Sequence, residues 1–151
     1  MDTRHHDIET VNDLIKTTID SVDGYRSAAE SADSGQFQSI FFERANERQR
    51  VAEELRVHVR SLGGEPEDDG SILAGAHRAF MNLRDAVTGL DDQAVIAEVE
   101  RGEDHIKAKF ETALEDNNLG TETRTLISQG YDSVKSGHDQ MRDLKNGMRA
   151  V

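Results

Sequence analysis

Apolar residues recur at intervals of three and four along most of this chain, which is the spacing of an amphipathic α-helix. One such stripe covers residues 6–32, beginning with Ile8, Val11 and Ile15, and a second covers residues 36–62. Similar stripes predict helices over residues 72–88, 93–115 and 121–147. No alternating pattern of apolar and polar residues predicts a strand. We therefore expect an all-α protein in which helices joined by short loops pack antiparallel to one another.

The predicted helices form two hairpins with one helix remaining. We expect residues 1–118 to form an antiparallel four-helix bundle from the two hairpins, and residues 119–151 to add a C-terminal accessory helix packed on the same domain. A chain of 151 residues is long enough for one continuous hydrophobic core. Its one proline, Pro66, lies between two predicted helices, which agrees with this plan because helix interiors tolerate proline poorly.

The net charge of the chain says more about its possible partners than about its fold. Its 30 acidic and 18 basic side chains give a net charge of −12, which argues against binding to a nucleic-acid backbone. No stretch approaches the roughly 18 apolar residues of a membrane span, and the first residues lack the apolar core of a signal peptide. We expect a cytoplasmic protein with no nucleic-acid or membrane partner and no identifiable small-molecule substrate. A homo-oligomer remains compatible with the sequence.

Polar side chains interrupt the apolar stripes where a bundle buries its core. The stripe over residues 93–115 runs through Glu103, and Glu100 and Asp104 lie beside it. A buried carboxylate is costly unless a cation, a hydrogen-bond donor or a metal contacts it. The chain has no cysteine, so carboxylates and imidazoles would have to bind any metal. The pattern predicts a polar centre inside the bundle.

Seven carboxylate and imidazole side chains on or beside the inner faces of the helices are candidates for that centre: Glu54, His58, His77, Glu100, Glu103, Asp104 and His138. As metal ligands they would bind iron or another divalent transition metal. As an ion network they would be neutralised by Arg48, which lies on the inner stripe of the second predicted helix. The sequence leaves both interpretations open, and it assigns no catalytic residue and no certain cofactor.

Short motifs that occur along nearly the whole chain point to a family. They are Leu14-Ile15, Asp23-Gly24-Tyr25, Ala28-Ala29-Glu30, Leu62-Gly63-Gly64-Glu65-Pro66, Gly70-Ser71, His77-Arg78-Ala79-Phe80, Glu100-Arg101-Gly102-Glu103-Asp104 and His138-Asp139. This set resembles a family of small bacterial four-helix-bundle proteins of unknown function in the ferritin-like superfamily. The resemblance implies a ferritin-like bundle and a bacterial cytoplasmic setting, and it implies no established activity.

The histidine spacing departs from that of ferritin-like proteins that bind two metals. Those proteins use one glutamate on each of two helices and a Glu-x-x-His motif on each of the other two. Here the residues three positions before His58, His77, His105 and His138 are Leu55, Ala74, Gly102 and Lys135. We therefore interpret the protein as a non-catalytic or scaffold bundle with an internal polar network, and with a role in stress physiology. The alternative is a carboxylate and histidine metal-binding protein in metal storage or oxidation.

Overall fold

This computed structural model describes residues 3–67 and 92–149, which form four long helices. The helices are α1 (Thr3–Ser31), α2 (Gly35–Ser61), α3 (Asp92–Leu114) and α4 (Thr121–Arg149). No strand occurs in these two stretches, so the all-α class is confirmed. Within the same stretches, no helix has the length and hydropathy that crossing a membrane requires. The helix predicted over residues 72–88, which carries His77, lies outside the described residues.

Contacts at the two ends of the bundle define the direction of each helix. At one end, the carboxylate of Asp92 accepts hydrogen bonds from the backbone N–H groups of Asp33 at 2.8 Å and Ser34 at 3.2 Å, in the turn between α1 and α2. At the other end, His6 near the start of α1 contacts Asp116, which follows α3, at 2.6 Å. Thus α1 runs antiparallel to both α2 and α3, and the latter two run in the same direction.

Two apolar clusters fill the bundle, one on each side of its middle. One cluster includes Leu14, Val51, Leu55, Ile106, Phe110, Ile127 and Val134, and the other includes Tyr25, Phe41, Val95, Ile96 and Met141. α4 contributes buried residues to both clusters, so residues 121–149 share the core with the other three described helices. The division of the chain at residue 118 stays a prediction, because the helix expected over residues 72–88 lies outside the described residues.

Charged side chains form hydrogen bonds that stabilise the turn between α3 and α4. Arg124 donates to the backbone oxygens of Leu114, at 2.6 Å, and Asp116, at the end of α3 where carbonyl groups lack helical partners. Asp7, which is buried in α1, accepts hydrogen bonds from the backbone N–H of Gly120 at 3.1 Å and from the hydroxyl of Thr123 at 2.8 Å. A carboxylate at this position also suits the positive end of the α4 dipole.

Candidate site at the bundle centre

An ion pair between α2 and α3 lies at the middle of the bundle, between the two apolar clusters. Arg48 donates through Nη1 to Oε1 of Glu103 and through Nη2 to Oε2, each at 2.8 Å. Only 1% and 2% of the two side chains are exposed. The planar guanidinium matches both carboxylate oxygens at once, which is the strongest geometry for such a pair. This contact is the one that the ion-network interpretation requires of Arg48.

The other two helices complete the surroundings of this ion pair. On α1, the hydroxyl of Ser21 accepts a hydrogen bond from Nη1 of Arg48 at 2.8 Å, and the ring centroid of Tyr25 lies 5.5 Å from Cζ of Arg48. The latter distance is that of a cation–π contact. On α4, a Cβ atom added at Gly137 would lie 2.5 Å from Nη2 of Arg48 and 2.8 Å from Oε2 of Glu103. All four described helices therefore meet in one polar layer.

Burial and charge together set the ionisation of this layer. Burial opposes the charge of Arg48, but the negative charge and hydrogen bonds of Glu103 outweigh it, so the pKa of the guanidinium is raised. Burial, reinforced by the charge of Glu103, also raises the pKa of Tyr25 well above 10.0. Arg48 is therefore a permanent cation and Tyr25 a neutral phenol at neutral pH. Arg48 thus supplies the positive charge that a buried Glu103 needs.

The other two acidic candidates on α3 lie against α4, away from the centre. Glu100 lies 3.2 Å from Nζ of Lys145, and Asp104 lies 2.6 Å from Nε2 of His138. Each residue of an α-helix advances by about 100°, so Glu100 and Asp104 lie about 60° and 100° around α3 from Glu103. Both displacements have the same sense, which explains why both carboxylates contact α4 and neither contacts Arg48.

The remaining candidates lie elsewhere in the molecule. Glu54 is exposed on α2, and His58 contacts the hydroxyl of Thr123 at 2.7 Å near the end of the bundle. His77 lies outside the described residues. Across residues 3–67 and 92–149, no three carboxylate or imidazole side chains are placed to bind one metal ion. The described candidates thus occupy three separate places, and Glu103 is the one at the centre.

Sequence reasoning missed Gly137 and assigned its place to a neighbour. The sequence pattern selected His138 as the candidate on this helix, but Gly137 is the α4 residue that faces Arg48 and Glu103. The side chain of His138 is 16% exposed and lies beside the stripe, against Asp104. The available signal was the glycine itself, because glycine inside a helix costs about 1 kcal/mol relative to alanine and often marks a close approach.

The pKa values of two carboxylates, Glu111 on α3 and Asp116 just after it, predict how stability depends on pH. Hydrogen bonds from Lys107 and Tyr131 lower the pKa of Glu111 from its ordinary value of 4.5. The backbone N–H of Asn118 and the His6 side chain lower the pKa of Asp116 from 3.8. The folded state therefore binds fewer protons than the unfolded chain near and below these values. Stability from both groups is present above the unfolded pKa values and is lost as the pH falls through the folded ones.

We expect the urea midpoint of unfolding to fall as the pH is lowered from about 6 to about 3. A Glu111→Gln/Asp116→Asn variant should show a shallower fall, because two of the groups that release protons on folding are gone. The measurement is a series of urea titrations, followed by circular dichroism, at matched ionic strength. An identical pH dependence in the variant and the wild type would contradict this assignment.

Comparisons with known proteins agree with this architecture. The sequence profile of the domain of unknown function DUF2383 matches residues 6–116. A point mutant of Dps1 from Mycobacterium smegmatis is 13% identical, covers 95% of this chain and 97% of its own, and superposes with a TM-score of 0.73. A DPS protein from Vibrio cholerae O1, described as a member of a broad superfamily of ferritin-like diiron-carboxylate proteins, is 14% identical, with coverage of 94% and 90% and a TM-score of 0.74.

No curated protein is significantly similar to the chain. At 13% and 14% identity, the two solved structures establish the fold alone, and that fold is the expected ferritin-like four-helix bundle. The family match covers well over half of the sequence. This chain belongs to the DUF2383 family of domains of unknown function.

Proposed function

We propose that this protein is a non-catalytic ferritin-like bundle in which the Arg48–Glu103 ion pair takes the place of a metal centre, and that it acts as a helical scaffold for other molecules. The bidentate contact carries the proposal. Each oxygen of Glu103 is already bonded to Arg48, and its charge is neutralised. A metal ion that displaced the guanidinium would leave a second cation buried without a counter-charge, which is strongly unfavourable.

The donor set in the described residues does not fit a di-iron centre. One solved structure with this fold is described as that of a diiron-carboxylate protein, which makes iron the metal to test. Such centres use four glutamates and two histidines on four helices. Within the described stretches Glu103 is the one buried glutamate, and α2 places Arg48 opposite it. The arginine supplies the positive charge at the centre.

The proposed task of the ion pair is to fix how the helices align. A shift of one residue along α2 or α3 would move Arg48 or Glu103 by about 1.5 Å and turn it by about 100°. The two hydrogen bonds would then be lost while both charges stayed buried. Apolar contacts are not directional, so they resist small sliding movements less sharply than these two hydrogen bonds do. A buried ion pair that specifies one alignment is an attested use of polar groups in a core.

Elemental analysis of protein purified without a chelator and without a His-tag column tests this proposal. We expect iron and other transition metals far below one atom per chain, in the wild type and in Glu103→Ala alike. Glu103→Ala should also melt at a lower temperature than the wild type. A stoichiometric metal that disappears in Glu103→Ala would overturn the proposal and favour a function in metal storage or oxidation.

A further inference from the structure

A groove between α2 and α4 lies at the end of the bundle where α4 begins. It is a shallow, open groove of about 630 Å³, and it is lined by Val57 and Leu126 together with Glu53, Glu54, His58 and Glu122. The side chain of Val57 is 58% exposed, and it is one of two large apolar side chains that the described residues leave open to solvent. Val57 and the half-buried Leu126 supply the apolar part of the groove, and the charged groups around them supply its selectivity.

Two of the three glutamates that line the groove have no ion-pair partner within the described residues. Glu54 and Glu122 are both exposed, and no basic side chain in the described part of the chain forms an ion pair with either. Glu53 contacts Arg56 at 3.3 Å, but its side chain is 49% exposed. Carboxylates in this state attract a positively charged partner without first having to give up an internal ion pair.

Hydrogen bonds to buried residues hold His58 in the wall of the groove. The hydroxyl of Thr123 donates its one hydrogen to Asp7 at 2.8 Å, so its 2.7 Å contact with Nε2 of His58 requires that Nε2–H donates. Asp7 and Thr123 are buried and hold this arrangement in place. With His58 held in this way, the carboxylates are the groups of the groove that select a partner, and they favour a positively charged one.

From these contacts we infer that the groove binds a basic amphipathic helical segment of another protein. An apolar side chain of the segment would lie against Val57 and Leu126, with lysine or arginine beside Glu54 and Glu122. This is the helix-in-groove mode, in which apolar anchors give affinity and flanking charges give specificity. A second copy of this chain is a poor occupant, because it carries the same net charge of −12. The inference rests on the proposed scaffold function and names the kind of partner.

A fluorescent synthetic peptide of leucine and lysine tests this inference. With about 18 residues in helical periodicity, it is long enough to form a helix on binding. At about physiological ionic strength we expect saturable binding by fluorescence anisotropy, with the methyl resonances of Val57 and Leu126 shifted. The Glu54→Lys/Glu122→Lys variant should bind about tenfold more weakly, and Val57→Ser should also weaken binding.

A variant with the same net charge provides the matched control. Glu43→Lys/Glu115→Lys changes two exposed acidic residues outside the groove, so its affinity should stay within about threefold of the wild type. No saturable binding, equal losses in both lysine pairs, or unchanged binding in the groove variants would each overturn the inference. Metal content and the melting of Glu103→Ala report on the centre separately, so failure of the groove is distinguishable from failure of the ion-pair proposal.

Discussion

Replacing Glu103 with alanine is expected to lower the free energy of unfolding by about 3–5 kcal/mol. The substitution leaves the guanidinium of Arg48 buried without its counter-charge, with the hydroxyl of Ser21 and the ring of Tyr25 still beside it. For a chain of this length the loss corresponds to a fall of roughly 10 °C in melting temperature. Urea and thermal unfolding followed by circular dichroism would measure both quantities.

Glu100→Ala is the matched control, because it removes a glutamate on the same helix. Glu100 pairs with Lys145 at 3.2 Å, and the two side chains are 17% and 27% exposed. Its loss should cost about 1 kcal/mol or less, since solvent screens partly exposed ion pairs. Similar losses for Glu103→Ala and Glu100→Ala would contradict the central role that we assign to the buried ion pair.

Removing both charges separates the cost of an unpaired ion from the value of the pair. An Arg48→Met/Glu103→Leu variant should recover most of the stability lost in Glu103→Ala, because neither charge is left buried alone. If the ion pair fixes the helix alignment, this variant should be stable yet show broader amide resonances than the wild type. Sharp resonances at native positions would show that packing alone sets the alignment.

The elements that depend on local periodicity were predictable from the sequence. The stripe over residues 93–115 predicted a helix that the structure bounds at Asp92–Leu114. The same stripe placed Glu103 on the buried face of its helix, and the stripe of the second helix placed Arg48 on the buried face of that helix. Both conclusions use only the 3.6-residue repeat of one helix, which is fixed by its own backbone.

Which side chains of different helices contact one another was not predictable in the same way. Spacing along α3 groups Glu100 and Asp104 with Glu103, but the rotation of α3 against α4 decides which partner each carboxylate contacts. The contact between Asp7 and Thr123 joins residues 116 positions apart, and neither residue interrupts an apolar stripe conspicuously. Tertiary contacts of this kind follow from helix packing, which periodicity alone does not define.

Replacing Gly137 with alanine is expected to lower the free energy of unfolding by about 3 kcal/mol, through steric conflict in a closely packed core. The new Cβ would lie 2.5 Å from Nη2 of Arg48 and 2.8 Å from Oε2 of Glu103, so the ion pair or α4 would have to move. In an open helical position the same substitution would stabilise by about 1 kcal/mol, because alanine is the better helix former. The sign of the effect therefore reports the packing around Gly137, and urea unfolding would measure it.

Gly24→Ala and Gly102→Ala are controls with the opposite expected sign. Both glycines lie inside helices, and a Cβ added at either has nothing within 4 Å. Each substitution should raise the free energy of unfolding by about 0.5–1 kcal/mol. In the Arg48→Met/Glu103→Leu background, the cost of Gly137→Ala should shrink, because the flexible thioether of methionine can yield where the bidentate ion pair cannot. If Gly137→Ala lowers the free energy of unfolding by the same amount in that background, the new Cβ conflicts with other atoms of the core. The glycine would then have no specific connection with the ion pair.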